Sequence, residues 1–391
     1  MKYKRIFVIV IDSLGIGNAR DAEDFGDQGA NTFVHIEEAM PNLKIPHLTE
    51  LGLKDLVFPV KEQQKGYALS LQEKGRGKDT LSGHWEMMGL AVDQPFQTFP
   101  NGFPKELIDE LSRRCDHRKI IGNKAASGTQ ILEELGEKEI QEGSLIVYTS
   151  SDSVLQICGN EETMGLETLY RYCEIARELT QRPQWKVGRV IARPYVGKKK
   201  GEFVRTAHRH DYALAPFRKT ALDSLKEHGL DVIGIGKIHD IFAGQGITQS
   251  FRSQTSVQGM EQTIEWAKKE FTGLCYVNLV DFDALWGHRR DPIGYGKELE
   301  TFDLLLGELI DCLSEEDLLM ITADHGNDPT FKGTDHTREN VPLMMYSSGL
   351  KNHGILPGES SFGCVGATIL ENFGLAMPEG TCGKSLFKHL K

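Results

Sequence analysis

Apolar residues in this chain come in short unbroken runs separated by polar segments. Five runs, Ile6–Ile11, Leu145–Tyr148, Val232–Ile235, Tyr276–Val280 and Leu318–Ile321, are rich in β-branched and aliphatic side chains and read as strands. An unbroken run implies that both faces of the strand are covered, as in a parallel sheet with helices on either side. Between the runs, helical patterns lie over Glu106–Arg114, Met164–Leu179, Ala221–Lys226, Gly259–Glu270 and Tyr295–Leu313. Strands alternating with helices predict an α/β domain. In open sheets of that kind ligands gather beyond the carboxyl ends of the strands. The polar residues that follow each run are therefore the first place to look for chemistry.

Asp12 ends the first run, and Asp283 and His288 follow the fourth. Asp324-His325-Gly326-Asn327-Asp328 follows the fifth, with His336 a little further on in a polar loop. Each group alone has an ordinary explanation, an N-cap aspartate or a satisfied loop histidine. Three of them after three separate runs, from opposite ends of the chain, point to one converging site with ligands enough for two metal ions. Carboxylate oxygens mixed with imidazole nitrogens suit Mn²⁺ or Zn²⁺ better than Ca²⁺. A paired site of that composition serves phosphoryl or related ester chemistry. Asp283 and His288, five apart, share neither an α-helical face nor a strand face, so they converge only if the chain turns after Phe282, which Gly287 permits. Asp324 and His325 are adjacent and must likewise lie beyond the strand end, where Gly326 bends the backbone.

Covalent phosphoryl transfer needs an oxygen nucleophile. Thr80 and Ser82, in the glycine-bearing stretch Gly75–Glu86, stand at the start of a predicted helix, where free N–H groups stabilise an anion. Either is also an ordinary capping residue, and spacing does not choose between them. Lys78 and His84 nearby are candidates for electrostatic help, and Arg289 and Arg290 for a phosphate clamp.

From about Gln97 to Tyr212 no metal cluster is expected. Polar and basic residues appear instead, among them Asn123, Lys124, Ser127, Ser150, Asp152, Arg189, Arg193, Arg205 and Arg209. A substrate-binding cap, residues 97–213, inserted into a discontinuous core of residues 1–96 and 214–391 would account for this change. The net charge of -11 argues against a nucleic-acid or anionic-membrane partner. A phosphate substrate remains compatible, because charges beyond a screening length of ~8–10 Å matter little beside a local basic pocket. The 7 cysteines are scattered without a Cys-x-x-Cys pair, as expected of reduced thiols in a cytoplasmic protein. The apolar run behind the basic start spans only Ile6–Ile11, too short for a signal h-region or a membrane span. No obligate protein partner is apparent.

Taken together the motifs resemble the bacterial phosphopentomutases of the alkaline phosphatase superfamily. The resemblance runs in one order over essentially the whole length, through Val10–Gly17, Gly77–Glu86, Gly122–Thr129, Tyr148–Gln156, Gly188–Pro194, Arg209–Leu214, Asn278–Asp283, Gly287–Pro292 and Asp324–His336. It implies an alkaline-phosphatase-like core, a mostly parallel sheet flanked by helices, with a smaller inserted α+β cap. It implies one metal held by Asp12, Asp324 and His325 and the other by Asp283, His288 and His336, two Mn²⁺ being the family expectation and other divalent cations compatible. It further implies that Thr80, not Ser82, carries the phosphoryl group and bridges both metals. The sugar phosphate would be held by Ser150, Asp152, Arg189 and Arg205, with Lys237 from the core.

The implied reaction interconverts the 1-phosphate and 5-phosphate of ribose or 2-deoxyribose through a phosphothreonine enzyme and a bisphosphate intermediate, with a sugar bisphosphate as primer. Ala125 stands where a proline is usual, and Ala207-His208 where Pro-Asn is usual. Both departures lie in the cap and bear on substrate preference. A phosphatase of the same superfamily would share the metals and release inorganic phosphate. The Gly-Lys-Asp-Thr stretch and the cap motifs argue against a cofactor-independent phosphoglycerate mutase.

Overall fold

A computed structural model describes residues 1–58, 64–94, 96–150 and 153–390. The chain forms two compact units, Met1–Gln94 with Pro216–Lys391, and Pro95–Ala215.

The first unit is built on an eight-stranded sheet. Its order is Gln249–Phe251, Asp231–Ile235, Gly273–Leu279, Arg5–Ile11, Asp317–Thr322, Val341–Tyr346, Tyr67–Gln72 and Gly354–Ser361. Only Val341–Tyr346 runs against its neighbours; every other pairing is parallel. Four of the expected apolar runs form the contiguous half of this sheet, and Gly273–Leu279 and Asp317–Thr322 are buried at every position. Helix Ser256–Ala267 packs on Gly273–Leu279 and on helix Pro292–Asp311. Burial at every position shows that both faces of these strands are covered, the condition the unbroken runs required. In the register Ile11 lies opposite Leu279, and Val10 opposite Thr322. The three central strands therefore end together, and the polar residues that follow them leave from one edge.

Four strands of this sheet carry none of the expected apolar runs, among them the three-residue edge strand Gln249–Phe251. Gly354–Ser361 is polar and pairs with a register shift. Tyr67–Gln72 is only partly buried at Tyr67, Ser70 and Gln72, and Val341–Tyr346 carries a proline.

The second unit holds a smaller mixed sheet, in order Ile120–Ile121, Leu145–Tyr148, Val154–Asn160, Arg189–Val196 and Val204–Arg205, with His210–Ala213 also paired to Arg189–Val196. Leu145–Tyr148 shows its two-residue period plainly. Leu145 and Val147 join the core with Leu107, Leu111, Leu169 and Tyr172 of helices Lys105–Arg114 and Leu166–Leu179. Ile146 and Tyr148 face the other side, with Ile131 and Leu132 of helix Gly128–Glu142. That last helix has no clean apolar stripe in the sequence. Its buried face includes Gly136, where a Cβ would come within 2.7 Å of the Phe203 ring. It also includes Glu139, whose carboxylate accepts from Tyr195 Oη at 2.7 Å.

Candidate active site

The residues past the central strands are locked to one another before any ligand is considered. Ser13, directly after Asp12, has φ 77°, a left-handed conformation that costs a non-glycine residue about 1 kcal/mol or more. Its N–H donates to Asp324 Oδ1 at 3.1 Å, and its carbonyl accepts from Asn327 N at 3.2 Å. The strained turn thus holds the Asp324–Asn327 loop against Asp12. Asn278, a buried amide inside an otherwise apolar strand, donates to Asp12 Oδ2 at 3.1 Å.

His325 stands at the centre. Its Nδ1 lies 3.1 Å from Gly326 O, so that nitrogen donates and Nε2 faces the cluster. There Nε2 is 3.4 Å from Asp12 Oδ1, 3.6 Å from Asp324 Oδ2 and 3.3 Å from Thr80 Oγ1. Burial opposes a charge on His325, but Asp324 and Asp12 beside it push its pKa well above the usual histidine range.

Asp283 and His288 meet by a route that neither an α-helix nor a strand provides. Phe282–Gly287 is a π-helical turn, closed by His288 N donating to Asp283 O at 2.9 Å. In a π-turn residues five apart fall on one side, and such turns recur at functional sites. His288 Nε2 lies 3.2 Å from Asp283 Oδ2, and His288 Nδ1 donates to Thr334 O at 2.8 Å. His336 Nε2 is 3.5 Å from Asp283 Oδ1 and 3.2 Å from His288 Nε2. Asn327 Nδ2 donates to Asp283 Oδ1 at 2.7 Å. Burial would raise the Asp283 carboxyl, but His336 and His288 override it and hold the pKa well below the usual range.

Two sets of ligand atoms, each within 4.8 Å of one another, result: Asp283, His288 and His336, and Asp12, Asp283 and His325. Asp283 belongs to both. Asp324 lies beside the second set, with Oδ2 turned to His84 Nδ1 at 3.2 Å as well as to His325. Asp12 Oδ1 and Asp324 Oδ2 are buried yet accept no hydrogen bond, whereas buried polar atoms are nearly always satisfied. Carboxylate oxygens with open lone pairs, beside imidazole nitrogens whose other ring nitrogen is already committed, fit divalent cations of borderline preference.

The two hydroxyls that spacing leaves equivalent have different surroundings. Helix Thr80–Met87 is capped by Asp79, whose Oδ1 accepts from Leu81 N at 3.0 Å and Ser82 N at 3.2 Å. Ser82 Oγ closes the capping box, donating to Asp79 O at 2.9 Å and accepting from Asp79 N at 3.3 Å. Ser82 is thus fully buried and spent on the cap. Thr80, one turn-start earlier, points its Oγ1 at His325.

The neighbours singled out for electrostatic help are engaged elsewhere. Lys78 Nζ bridges Asp27 and Asp335, 3.0 Å from each. His84, fully buried, places Nδ1 2.9 Å from Thr80 O and 3.2 Å from Asp324 Oδ2. Thr80 O can only accept, so Nδ1 carries the proton and donates within the helix, with the Asp324 carboxylate alongside. Arg290 is no clamp for a ligand: it donates to Asn327 Oδ1 at 2.6 Å and to the carbonyls of Asp328, Gly333 and Asp335, fixing the loop before His336. Arg289 is exposed. Lys237 is exposed and follows Gly236 at the carboxyl end of strand Asp231–Ile235.

In the second unit a cavity of about 210 Å³ is lined by Ser150, Arg189, Gln156, Arg193 and Arg209, with the Ser127–Gly128 start of a helix. Arg193 Nε donates to Gln156 Oε1 at 3.0 Å, and burial, then Arg209, lowers its pKa. Asp211 pairs with Arg209 through two 2.7 Å contacts and lies 3.8 Å from Arg189. Arg205 is exposed and donates to Thr129 Oγ1 at 3.0 Å. Asp152 lies outside the described residues. Sequence reading missed Asn278, Asn327 and the place of His84 beside Asp324. The one signal was an amide within a buried strand, which always needs a partner.

Among the described residues no helix is long and apolar enough to cross a membrane. The sequence profile of the Metalloenzyme superfamily matches residues 4–377. Phosphopentomutases of Agathobacter rectalis and Clostridium beijerinckii are 61% and 59% identical to this chain, covering 100% of it and 100% and 99% of their own lengths. A solved phosphoglycerate mutase of Leishmania mexicana is similar in fold, with a TM-score of 0.51 at 12% identity over 98% of this chain and 97% of that one. The chain belongs to the bacterial phosphopentomutase family of the Metalloenzyme superfamily, with the α/β core built on a mostly parallel sheet that its motifs implied.

Proposed function

We propose that this chain interconverts the 1-phosphate and 5-phosphate of ribose and 2-deoxyribose, with Thr80 as the carrier of the phosphoryl group. The observation that carries this reading is Thr80 Oγ1, at the start of a capped helix and 3.3 Å from His325 Nε2 of the Asp12–Asp283–His325 ligand set. Phospho-Thr80 donates its group to the free hydroxyl of a pentose monophosphate, which leaves Thr80 unesterified and a pentose bisphosphate in the site. The bisphosphate turns round and returns its other phosphate to Thr80, and the isomerised monophosphate departs. A sugar bisphosphate primes the unphosphorylated enzyme by the same transfer. Asp12, Asp324 and His325 would hold one divalent cation and Asp283, His288 and His336 the other, Mn²⁺ being the family expectation. Bound there, such ions supply charge neutralisation for the attacking and leaving oxygens.

The chain's own residues do the placing. The Asp79 cap takes up the N–H groups of Leu81 and Ser82 and so fixes the helix start that carries Thr80. His84 stands between the Thr80 carbonyl and the Asp324 carboxylate, and Asn327 orients Asp283. Ser150, Asp152, Arg189 and Arg205 of the second unit and Lys237 of the first are the proposed ligands of the sugar phosphate. The cationic lining of the cavity at Arg189 supports that assignment.

A ³¹P NMR time course with ribose 5-phosphate and Mn²⁺, primed with a sugar bisphosphate, tests the reading. Growth of the 1-phosphate signal without inorganic phosphate is expected. Inorganic phosphate alone would make the chain a hydrolase on the same scaffold.

A further inference from the structure

The segment leading to Thr80, residues 73–79, has no regular secondary structure, yet its backbone is held from both sides. On its N–H side Glu86 of the following helix accepts from Lys74 N at 2.8 Å and Gly75 N at 2.7 Å. On its carbonyl side a single guanidinium, Arg338, donates to Glu73 O at 2.9 Å, Gly75 O at 2.7 Å and Gly77 O at 2.6 Å. Arg338 also donates to Glu73 Oε2 at 2.7 Å, and forks onto Asp21 at 3.1 and 2.9 Å.

The side chain is 2% exposed and its donors are fully used, so it has nothing left to offer a substrate. Its backbone lies two residues beyond His336. A second tie runs parallel: Arg338 N donates to Asp27 Oδ2 at 2.9 Å, the carboxylate oxygen that Lys78 Nζ also reaches while touching Asp335. The loop before Thr80 and the segment after His336 are therefore one hydrogen-bonded body.

We infer that Arg338 is a positioning residue, which sets Thr80 Oγ against the His336-bearing segment by gripping alternate carbonyls of the loop before it. The inference rests on the reading of Thr80 as phosphoryl carrier. Only a planar fork of five N–H donors meets this acceptor set; a lysine ammonium, a point charge with three donors, leaves carbonyls unmet.

The test is R338K in the full-length enzyme loaded with Mn²⁺. Misplacing a reacting group by about 1 Å costs ~10²-fold, so kcat is expected to fall by about that factor. KM for ribose 5-phosphate and bound Mn²⁺ should stay within roughly threefold of wild type, the signature of a lost transition-state placement. Amide exchange over residues 73–82 should quicken while the central strands stay protected. A folded, metal-replete R338K with kcat within about threefold of wild type would overturn the inference.

Should R338K fail to fold, Asp21→Asn loosens only the fork. A drop of ~10-fold in kcat at unchanged KM is then expected, and an unchanged kcat refutes the idea. Thr80→Ala run alongside separates the two claims. If it retains turnover, the carrier reading itself fails; if it is inactive while R338K works, only the role of Arg338 falls.

Discussion

The two units gather opposite charges. In the first, Asp12, Asp283 and Asp324 are buried together among imidazoles, two of which donate their other nitrogen to backbone carbonyls. In the second, Arg189, Arg193 and Arg209 line one cavity, with Asp211 as the carboxylate among them. A buried excess of carboxylate is costly until a cation balances it, and a recess with an excess of guanidinium is a place for an anion. The first site is also the more rigid, since a strained Ser13, a π-turn and the Arg290 and Arg338 clamps fix every loop that feeds it. The second is partly exposed, with Asp211 between Arg209 and Arg189 and Gln156 on Arg193. Under the proposed function, that contrast puts bond-making in the first unit and recognition in the second.

The largest expected effect separates two hydroxyls two residues apart. Thr80→Ala should lose ~10⁴-fold or more in turnover, as removal of a nucleophile does, while its Mn²⁺ content stays close to wild type. Ser82→Ala should instead cost stability, about 1 kcal/mol for a lost capping interaction, and keep most of the activity. A coupled mutase assay beside a thermal melt distinguishes them, and equal losses of turnover in both variants would erase the distinction.

Next comes Asp283, the carboxylate common to both ligand sets. Asp283→Asn should lower the bound metal by at least one ion per chain in elemental analysis, with turnover down by ~10³-fold or more. Full metal occupancy in that variant would count against the assignment. The smallest effect belongs to the second unit. Arg189→Ala should raise KM for ribose 5-phosphate by roughly 10- to 100-fold, the worth of one or two charge-assisted hydrogen bonds, and move kcat little. A fall in kcat with KM intact would place Arg189 in bond-making and break the contrast between the units.

How far these features were readable from residues alone follows the same divide. The central strands were legible because parallel strands buried on both faces leave unbroken apolar runs, and the candidate ligands because they sit where those runs stop. The strands Tyr67–Gln72 and Gly354–Ser361 were not, since half-exposed or polar strands carry no such run. Helix Gly128–Glu142 escaped because Gly136 and Glu139 occupy its buried stripe, one for closeness to Phe203 and one to meet Tyr195.

The spacing of Asp283 and His288 excluded the two common periods and so required a turn, but a π-turn has no sequence signature of its own. Thr80 and Ser82 were indistinguishable because both are good capping residues. Only the capping box around Asp79 shows which hydroxyl is spent. Arg338 was invisible for a different reason: its partners are backbone carbonyls, which every residue has.

The central claim is that Thr80 carries the phosphoryl group. The most direct measurement is to incubate the Mn²⁺-loaded enzyme with a sugar bisphosphate, quench, digest and locate the phosphate by fragment mass spectrometry. Phosphate on Thr80, discharged when excess ribose 5-phosphate is added before the quench, is the predicted result. Phosphate on Ser82, or an enzyme that turns over without ever being labelled, would contradict it.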